Sequence, residues 1–460
     1  MKINKIILSL LYLQSCILFS RSVFDMRRKS SSPLLYNMID LSGKDYHASA
    51  SAFTGKSFDP NHIASAMTMN GKPYFTLNEK GASTTSETVD GDINPKWLAL
   101  TTTAQDYKST VEFVPQIRTS GALLHFYKKC ENYFMNVQSA ILECRSRVDI
   151  LETVLGGAIA ANSTIASYKE AMNNSEWKYG KIGSENKKIG LDNIQLQIGM
   201  FANQNKAETD RVLAIALAVE IPTGKGTTAE YVFEPRVGGN HFGLGIGFDD
   251  YYKNETSQIV FGVHYRYLFS ATETRSFDLL DKPWSRYIRV ISIPTSTTSS
   301  GVEAHGINAL TLQAQVTPGH QLNSYVRWAE QWNKINFELG YNFFFKVKER
   351  ISAVQNFASE FGIKNLLTLG STINKAAMNA NFLNTTFITS LVQDPGVAIT
   401  QNDLDLDSAA VGLQAISSIS ARLEYVGDLA QYGIGGSVEG AHSKHAYASW
   451  NLWINAGVQF

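Results

Sequence analysis

The amino-acid sequence predicts an all-β protein, a transmembrane antiparallel up-and-down β-barrel of about 12–14 strands with two helical insertions. Three observations lead to this fold class. The chain has 460 residues, of which 44% are hydrophobic and only 18% are charged, whereas soluble chains carry roughly 25% charged residues. Apolar residues alternate with amides and glycines over long stretches. A single long apolar run is present, and it lies at the N-terminus.

Composition and charge exclude several classes of protein. The 41 basic and 41 acidic residues give a formal net charge of zero, and no basic block offers the phosphate neutralisation that nucleic-acid binding requires. The 24 Phe, 20 Tyr and 7 Trp residues are too many for a disordered chain. A mean hydropathy of -0.13 is too low for a bundle of membrane helices. We therefore expect the lipid bilayer as a partner and no nucleic acid.

Residues 1–22 have the layout of a secretory signal peptide. Lys2 and Lys5 precede the uncharged apolar residues 6–19, and small residues follow. A transmembrane anchor is the alternative, but this apolar run is shorter than the roughly 20 residues that a helix needs to cross a bilayer. Residues 13–16 also resemble a bacterial lipoprotein box with an atypical Gln. We therefore expect an exported protein, and the exact cleavage site stays open.

The C-terminal segment shows the strand pattern most clearly. Alternation with a period of two indicates a strand whose two faces meet different environments. Membrane barrels turn apolar side chains to lipid and polar ones to the lumen, whereas the outer face of a soluble sandwich, the alternative, would be rich in charges. The apolar face of this segment consists of Trp450, Leu452, Ile454, Ala456, Val458 and Phe460, and the other face of Asn451, Trp453, Asn455, Gly457 and Gln459.

Fourteen segments carry a comparable pattern. An even number is expected for a single-chain bacterial barrel, and 12 strands stay possible because the pattern is weakest in the N-terminal third. The segments lie near 45–54, 108–118, 121–129, 132–145, 189–202, 207–221, 241–249, 258–270, 285–293, 307–317, 321–330, 333–348, 408–426 and 445–460.

Two stretches resemble known families. Trp450, Leu452, Ile454, Val458 and Phe460 resemble the C-terminal insertion signal of bacterial outer-membrane β-barrel proteins, which implies a location in the outer membrane of the Gram-negative cell envelope and the barrel-assembly machinery as a partner. Residues 220–225, followed by Gly243, Gly245 and Gly247, are similar to porins of phenol-degradation pathways, which are related to FadL-like channels. That resemblance implies a porin-like channel, although the Asn-Pro-Ala hatch motif of FadL-type proteins is not visible.

Two predicted insertions interrupt the strands, at about 149–186 and 349–403, so the mature domain 23–460 is a barrel with two helical inserts. Each insertion is long for a hairpin connection. We expect a plug, a lid or a partner-docking surface, or else amphipathic loops that pack on the barrel rim. Helical spacing joins Leu151, Val154, Leu155, Ala158 and Ile159 in the first, and Ile351, Val354, Phe357, Ala358 and Phe361 in the second.

Polar residues on the predicted inward faces are the candidate site. Rings of charge in a lumen filter solutes electrostatically, while the alternative is that these side chains only fill the lumen as mutual pairs. Asp403, Asp405 and Asp407 would share one face of an extended chain and are weak candidates for a calcium site. The lumen-facing candidates are Glu338, Lys346, Lys348, His264, Arg266, Asn336 and Asn342.

Catalytic motifs are missing from the sequence. Residues 435–440 have the wrong order for a Gly-x-Ser-x-Gly elbow, and residues 224–227 lack the earlier glycine and the hydroxyl residue of a phosphate loop. We therefore expect neither an enzyme nor a cofactor. The sequence predicts a porin-like channel for passive or facilitated uptake of small solutes, with hydrophobic or aromatic ones included. The alternative is a structural or adhesive barrel with a blocked lumen, whose external insertions bind a partner.

Overall fold

A computed structural model gives the fold of the chain. No helix in the described part of the chain is long and apolar enough to cross a membrane. The signal peptide expected at 1–22 and the terminal residue Phe460 lie outside the described residues. These are residues 45–78, 92–100, 102, 107–161, 163–183, 185–202, 211–224, 226–292, 302–352, 354–363, 378–379 and 398–459.

Strands dominate the described residues. The described residues contain three short α-helices, and four 3-10 segments lie at Pro95–Leu98, Ser285–Tyr287, Gln401–Asp403 and Leu406–Ala409. The helices are α1 (Pro60–Met67), α2 (Tyr168–Ala171) and α3 (Gly306–Ala309). The strands are β1 (Tyr46–Ser57), β2 (Tyr74–Asn78), β3 (Lys108–Cys130), β4 (Tyr133–Gly156), β5 (Asn186–Leu191), β6 (Ile194–Phe201), β7 (Arg211–Ile221), β8 (Gly243–Lys253), β9 (Ser257–Leu268), β10 (Ala271–Ser276), β11 (Asp278–Leu279), β12 (Arg289–Ser292), β13 (Glu303–His305), β14 (Thr311–Thr317), β15 (Gly319–Trp332), β16 (Ile335–Lys346), β17 (Arg350–Ser352), β18 (Phe361–Ile363), β19 (Leu404–Asp405), β20 (Gln414–Val426), β21 (Ala430–Ala441) and β22 (Ser449–Gln459).

Twelve of these strands close into an antiparallel barrel. Their order is β1, β3, β4, β6, β7, β8, β9, β15, β16, β20, β21 and β22. The last strand then pairs with the first, with partners from His47 and Gln459 to Ser57 and Ser449. Closure satisfies every ladder hydrogen bond without a free edge, which is the condition for a sheet to cross lipid. The predicted all-β transmembrane barrel is confirmed. Its 12 strands are an even number and correspond to the lower of the two predicted counts.

The two faces of the barrel wall differ as the alternation predicts. In β22 the apolar Leu452, Ile454 and Val458 are exposed on the outside, whereas Asn451 and Asn455 are buried on the inside. Exposed aromatic side chains stand near both ends of the strands, which is typical of membrane-interface girdles. One girdle contains Tyr133, Tyr252, Trp332, Tyr425 and Tyr432, and the other contains Phe58, Phe242 and Phe269.

The outward face of β4 marks the upper limit of the lipid band. From the short-turn end upward it carries Tyr133 and Ile141, and then it changes to the charged residues Glu143 and Arg145. Arg145 Nη1 lies 3.2 Å from Glu185 Oε1. An ion pair on the outer face indicates that this part of the strand is surrounded by water and not by lipid. The hairpin of β3 and β4 therefore rises beyond the membrane.

The two ends of the barrel have different connections. Short turns at 131–132, 254–256, 333–334 and 427–429 join strands at one end. Long connections join them at the other end. In outer-membrane barrels the short turns face the periplasm and the long loops face the outside, so the long connections lie on the extracellular side.

The long connections fold together into what we call the cap, the described residues of 58–107, 157–185, 222–242, 269–318, 347–413 and 442–448. It contains three small sheets, β10-β14-β17, β13-β12-β18 and β11-β19, over a core rich in aromatic residues. Trp284 stacks on Phe113 with ring centroids 6.1 Å apart, and its Nε1 donates to the Met67 carbonyl over 3.2 Å. The core joins cap residues to residues of the barrel wall such as Phe113.

Helix α1 shows how local sequence shapes the cap. The Asp59 carboxylate accepts from the His62 backbone N–H at 3.1 Å, and Pro60 occupies the first helical position. An acidic N-cap followed by proline is a favoured start for a helix. The buried face of the helix, Ile63, Ala64 and Met67, then packs into the core of the cap.

Several predicted strands are corrected. Segments 108–118 and 121–129 form the single strand β3, because Thr119 and Ser120 between them continue the ladder with β4. Segments 285–293 and 307–317 include β12 and β14, which lie in the small sheets of the cap. Strand β21 was missed by the alternation, since glycines on both of its faces weaken the contrast between them.

The helical insertions are also corrected for the described residues. Leu151, Val154 and Leu155 belong to β4, which pairs with β3 as far as Gly156, and only α2 is α-helical in the described part of 149–186. The β3–β4 ladder supplies hydrogen-bond partners for the backbone of these residues. This pairing outweighs the weak helical preference that the spacing of their apolar side chains indicated. In the second insertion, Ile351 and Phe361 lie in β17 and β18, while 364–377 and 380–397 fall outside the described residues.

Candidate functional site

The inner wall of the barrel carries pairs of amides across neighbouring strands. Asn136 and Gln138 of β4 face Gln197 and Gln195 of β6 because the register makes them direct partners. Asn136 Nδ2 donates to Gln197 Oε1 over 3.0 Å, and Gln138 Nε2 donates to Gln195 Oε1 over 2.6 Å. All four side chains are buried. This part of the wall is therefore polar but uncharged.

Four charged side chains meet inside the barrel. Two arginines and two glutamates make this group neutral as a whole, and we call it the lumen quartet: Arg327, Glu338, Arg422 and Glu424. Arg327 Nε donates to Glu338 Oε1 over 2.8 Å, and Arg422 Nη2 donates to Glu338 Oε2 over 2.8 Å. Arg422 Nη2 also lies 3.5 Å from Glu424 Oε2. Each of the four is at most 6% exposed, so the charges interact with little screening by water.

The quartet lies close to the short-turn end of the barrel. Glu338 is three residues from the start of β16, and Arg422 is four residues from the end of β20. Asn455 of β22 donates to Glu424 Oε1 over 3.0 Å, which ties the quartet to the C-terminal strand. Side chains from β15, β16, β20 and β22 thus converge on one level of the lumen.

A second lumen cluster joins β8, β9 and β15. His264 Nε2 donates to Asp249 Oδ1 over 2.9 Å, and the Tyr325 hydroxyl donates to the same oxygen. Tyr325 lies flat over Gly262, where a Cβ would overlap its ring. Gly247 likewise leaves room for the His264 ring, which a Cβ would meet at 3.1 Å. The glycine-rich strand β8 therefore makes space for large lumen side chains.

Two further predicted candidates form ion pairs higher in the barrel. Arg266 Nη1 lies 2.6 Å from Glu220 Oε2, and Glu220 accepts from Asn193 Nδ2 over 2.7 Å. Lys346, the last residue of β16, lies 3.2 Å from Glu349 Oε1. These charges point into the barrel, and each has a counter-ion within reach.

The remaining candidates lie in different surroundings. Asn342 is fully buried and its Nδ2 donates to Asn323 Oδ1 over 2.6 Å. Asn336 lines the short-turn mouth of the barrel. Lys348 follows the end of β16, is partly exposed, and pairs with Asp407 at 2.5 Å. The structure therefore brings Glu338 into the quartet but places Lys348 in the cap.

The three aspartates proposed as weak metal ligands do not share one face. Asp403 ends a 3-10 turn and accepts from the Thr400 backbone over 2.8 Å. Asp405 accepts from the Asp407 backbone over 2.9 Å, and Asp407 pairs with Lys348. Each carboxylate has its own local partner because the chain turns twice in this segment instead of staying extended. Within the described residues, no group of three or more acidic, histidine or cysteine side chains is arranged to hold a metal ion.

Sequence reasoning missed most of the lumen quartet. Arg327 lies between Val326 and Trp328, and Arg422 lies between Ala421 and Leu423. In a strand that alternates, a charge between two apolar neighbours points inward, and this parity would have identified both arginines. The pairing with Glu338 could not be predicted, since it depends on the register of three strands.

An open cavity occupies the short-turn mouth, and we call it the vestibule. Its volume is about 160 Å³, and the lumen quartet forms part of its lining. Most of the other lining side chains are amides or hydroxyl groups from the strands and turns around the mouth. The amides are Asn254, Gln258, Gln331, Asn336, Gln431 and Gln459, and further polar residues are Lys253, Glu255, Thr256 and Ser257.

At the opposite end, a buried network ties the cap to the barrel, and we call it the latch. Glu273 of β10 is its centre: Arg236 Nη2 and Arg275 Nη2 each donate to it over 2.6 Å, and His241 Nε2 lies 3.2 Å away. Burial alone would raise the pKa of Glu273, but the two guanidinium groups and His241 hold that pKa well below its usual range. Glu273 is therefore a carboxylate at neutral pH.

The second half of the latch reaches the barrel wall. Arg275 Nη2 lies 3.1 Å from Glu349 Oε2, and Lys346 Nζ lies 3.2 Å from Glu349 Oε1. The Val411 backbone N–H also donates to Glu349 over 3.0 Å. Glu349 thus joins β10, the end of β16 and the segment before β20. The latch holds several cap connections against the extracellular mouth.

Comparisons with known proteins concern the fold. No protein-family model and no curated protein matches the sequence. A similar solved structure is an outer membrane channel from Pseudomonas putida F1, with 8% identity, coverage of 92% of this chain and 100% of that chain, and a TM-score of 0.40. Others are the transport unit of the autotransporter AIDA-I from Escherichia coli (6% identity, 93% and 94% coverage, TM-score 0.36) and the Pseudomonas putida toluene transporter TodX (8% identity, 91% and 89% coverage, TM-score 0.28). Values this low transfer neither a residue role nor a substrate.

The geometry of the chain itself gives the class of the protein. A closed antiparallel barrel, an apolar outer face between aromatic girdles and short turns at one end are the features of a barrel in the bacterial outer membrane. Inside it, polar side chains line the wall, the vestibule opens at the periplasmic mouth, and the cap lies at the extracellular mouth. The protein is an outer-membrane β-barrel with a polar lumen.

Proposed function

We propose that the protein is an outer-membrane channel through which small solutes move passively, with no enzymatic step. The observation that carries this proposal is the polar inner wall together with the open vestibule at one mouth of the barrel. Amides such as Gln195 and Gln197 exchange hydrogen bonds with a solute in place of water, and this lowers the barrier to leaving bulk solvent. A barrel with a purely structural role has no need of a cavity at its mouth.

The cap acts in this proposal as the gate. Its latch is buried at the extracellular mouth, and Glu273 and Glu349 each bind cations from different connections. Removing one partner of a buried ion pair is strongly destabilising, by about 3–5 kcal/mol, because it leaves an uncompensated charge. Loss of either glutamate is therefore expected to loosen the cap and to raise the conductance.

Planar-bilayer recording tests the channel. We expect steady current from the purified protein and a higher mean current from the Glu349→Gln variant. The matched control is Glu143→Gln, which removes a carboxylate from an ion pair on the outer face of β4, far from the lumen. A tight barrel that carries no current in either the native or the Glu349→Gln form would refute the channel.

The second candidate is a barrel whose cap binds a partner outside the cell. The specific observation in its favour is the cap core, in which Trp284, Phe75 and Tyr287 are buried, since a folded extracellular layer can serve as a docking surface. An absence of current from the native protein, together with no gain from Glu349→Gln, would favour this candidate over the channel.

A further inference from the structure

The vestibule has a lining that matches one class of solute, and this inference rests on the proposed channel. We infer that it binds small neutral solutes rich in hydroxyl groups, such as sugars and polyols. A hydroxyl group both donates and accepts a hydrogen bond, so a polyol can satisfy amide oxygens and amide nitrogens at once. The six amides of the lining, from Asn254, Gln258, Gln331, Asn336, Gln431 and Gln459, offer both kinds of group.

Arg327 supplies a second and independent observation. It lines the vestibule and is 5% exposed, yet its Nη1 has no hydrogen-bond partner in the described part of the chain. A buried donor without an acceptor is unfavourable by about 1–3 kcal/mol, and more when the group is charged. A solute oxygen beside the quartet would supply that acceptor.

The charges of the lining select against ions. Three cationic residues are balanced by three anionic ones, so the lining carries no net charge that would attract ions of one sign. A carboxylate that approached Arg327 would also meet Glu338, which is hydrogen-bonded to the same guanidinium group. Among the described residues that line the vestibule, the cations are Lys253, Arg327 and Arg422, and the anions are Glu255, Glu338 and Glu424.

The apolar part of the lining is small. Among its described residues only Val260, Ala329 and Val426 are apolar, and none is aromatic. An aromatic solute such as phenol finds no ring to stack on and would leave the surrounding amides without partners. The vestibule therefore disfavours the hydrophobic solutes that the sequence resemblance suggested.

Titration calorimetry on the detergent-solubilised full-length protein tests the solute class with four probes. D-Glucose is compared with glucuronate and glucosamine, which add one negative or one positive charge to the same ring, and with phenol. We expect glucose to bind about tenfold more tightly than each of the other three. A tenfold difference in affinity is about as large as the net contribution of one hydrogen bond. Equal binding of the four probes, or tighter binding of phenol or glucuronate, would overturn the inference.

Two leucine variants locate the site. Gln331→Leu removes an amide of the lining. It is expected to weaken glucose binding about fivefold to tenfold, which corresponds to the loss of one hydrogen bond between the amide and the solute. Gln116→Leu makes the same change on the outer face of β3, where the side chain contacts Arg118, and is expected to leave glucose binding unchanged. Equal loss in both variants would contradict the location.

Bilayer recording on the same samples separates the two proposals. Saturable reduction of the ion current by glucose supports both. Glucose binding without any current would refute the channel and leave the site, whereas current that none of the four probes reduces selectively would refute the site and leave the channel.

Discussion

Arg327 and Glu338 form a two-point ion pair inside the barrel, in which Nε donates to Oε1 over 2.8 Å and Nη2 contacts Oε2. Arg422 donates to the same carboxylate from the other side. Glu338 therefore neutralises two arginines at one level of the lumen. We therefore expect both the selectivity of the proposed channel and the stability of the barrel to depend on this carboxylate.

The first prediction concerns the charge of the lumen. Glu338→Gln leaves Arg327 and Arg422 without their shared carboxylate, so the quartet changes from neutral to positive. We expect the reversal potential in a salt gradient to shift toward anion selectivity. We also expect the heat-induced gel shift of the folded barrel to occur at a lower temperature, because breaking a buried pair destabilises by about 3–5 kcal/mol.

The outer-face variant Glu143→Gln is the control for that experiment. Exposed ion pairs contribute about 0–1 kcal/mol, so neither selectivity nor the gel shift should change. Unaltered selectivity of Glu338→Gln would mean that the quartet does not line the conduction path.

The second prediction concerns the glycine beneath Tyr325. Gly262→Ala places a Cβ where the Tyr325 ring lies, so the ring must leave Asp249 and the barrel should lose thermal stability. Gly440→Ala is the control, because its Cβ would come no closer than 3.9 Å to Ser417. Combining Gly262→Ala with Tyr325→Ala should recover the part of the loss that is due to the ring, whereas the Asp249 carboxylate, 2.5 Å from the same Cβ, must still shift. Additive losses in the double variant would contradict this contact.

The third prediction concerns the lipid-facing surface. Ile419 lies on the outer face of β20 and is 67% exposed. Ile419→Arg is expected to destabilise the barrel by about 2–4 kcal/mol, the penalty for arginine near the bilayer midplane. Urea unfolding in lipid vesicles measures it. Gln116→Arg, on β3 above the lipid band, should change stability little. Equal losses of stability in the two variants would show that the lipid band does not lie where the structure indicates.

The fourth prediction concerns the pH dependence of the cap. The pKa of Glu273 is held well below its usual range by Arg236 and Arg275 against the effect of burial. A carboxyl with a lowered pKa stabilises the fold above its unfolded pKa, and this contribution is lost as the pH falls through the folded pKa. The latch should therefore hold at pH 5 and above and weaken only at clearly lower pH.

Bilayer current recorded from pH 7 to pH 3 checks this prediction. We expect the mean current of the native protein to rise only toward the acidic end of the range, below the ordinary pKa of glutamate at about 4.3. Glu273→Gln removes the titrating carboxylate, so its current should be raised already at pH 7 and should vary less with pH. A rise in native current between pH 7 and pH 5 would exclude Glu273 as its cause.

The fifth prediction concerns the insertion signal that residues 450–460 resemble. Phe460→Ala is expected to reduce the amount of folded barrel in the outer membrane, because the resemblance implies that this residue is read during assembly. Quantitative blotting of membrane fractions measures it. Phe58→Ala, which removes an exposed aromatic side chain from the extracellular girdle, is the control, and an equal reduction in both would argue against a specific signal.

The fold class and the orientation of the side chains follow from the sequence alone. Period-two alternation depends only on local backbone geometry, so the pattern of residues is enough to assign Leu452 and Ile454 to lipid and Asn451 and Asn455 to the lumen. The same parity assigns Glu338 to the inside. The alternation rule fails to predict β21, because glycines on both faces of that strand weaken the contrast between apolar and polar positions.

Only the folded barrel decides which of these inward side chains meet. Glu338 reaches Arg327 across the β15–β16 hairpin, and it reaches Arg422 because β20, from a distant part of the chain, pairs with β16 in one particular register. A shift of one residue would turn either arginine to the other face of the wall. The cap and its latch depend in the same way on contacts between different connections. Arg275 and Glu349, for example, are 74 residues apart in the sequence. Alternation carries no information about such partners, since it reports the environment of a side chain and not the identity of its neighbour.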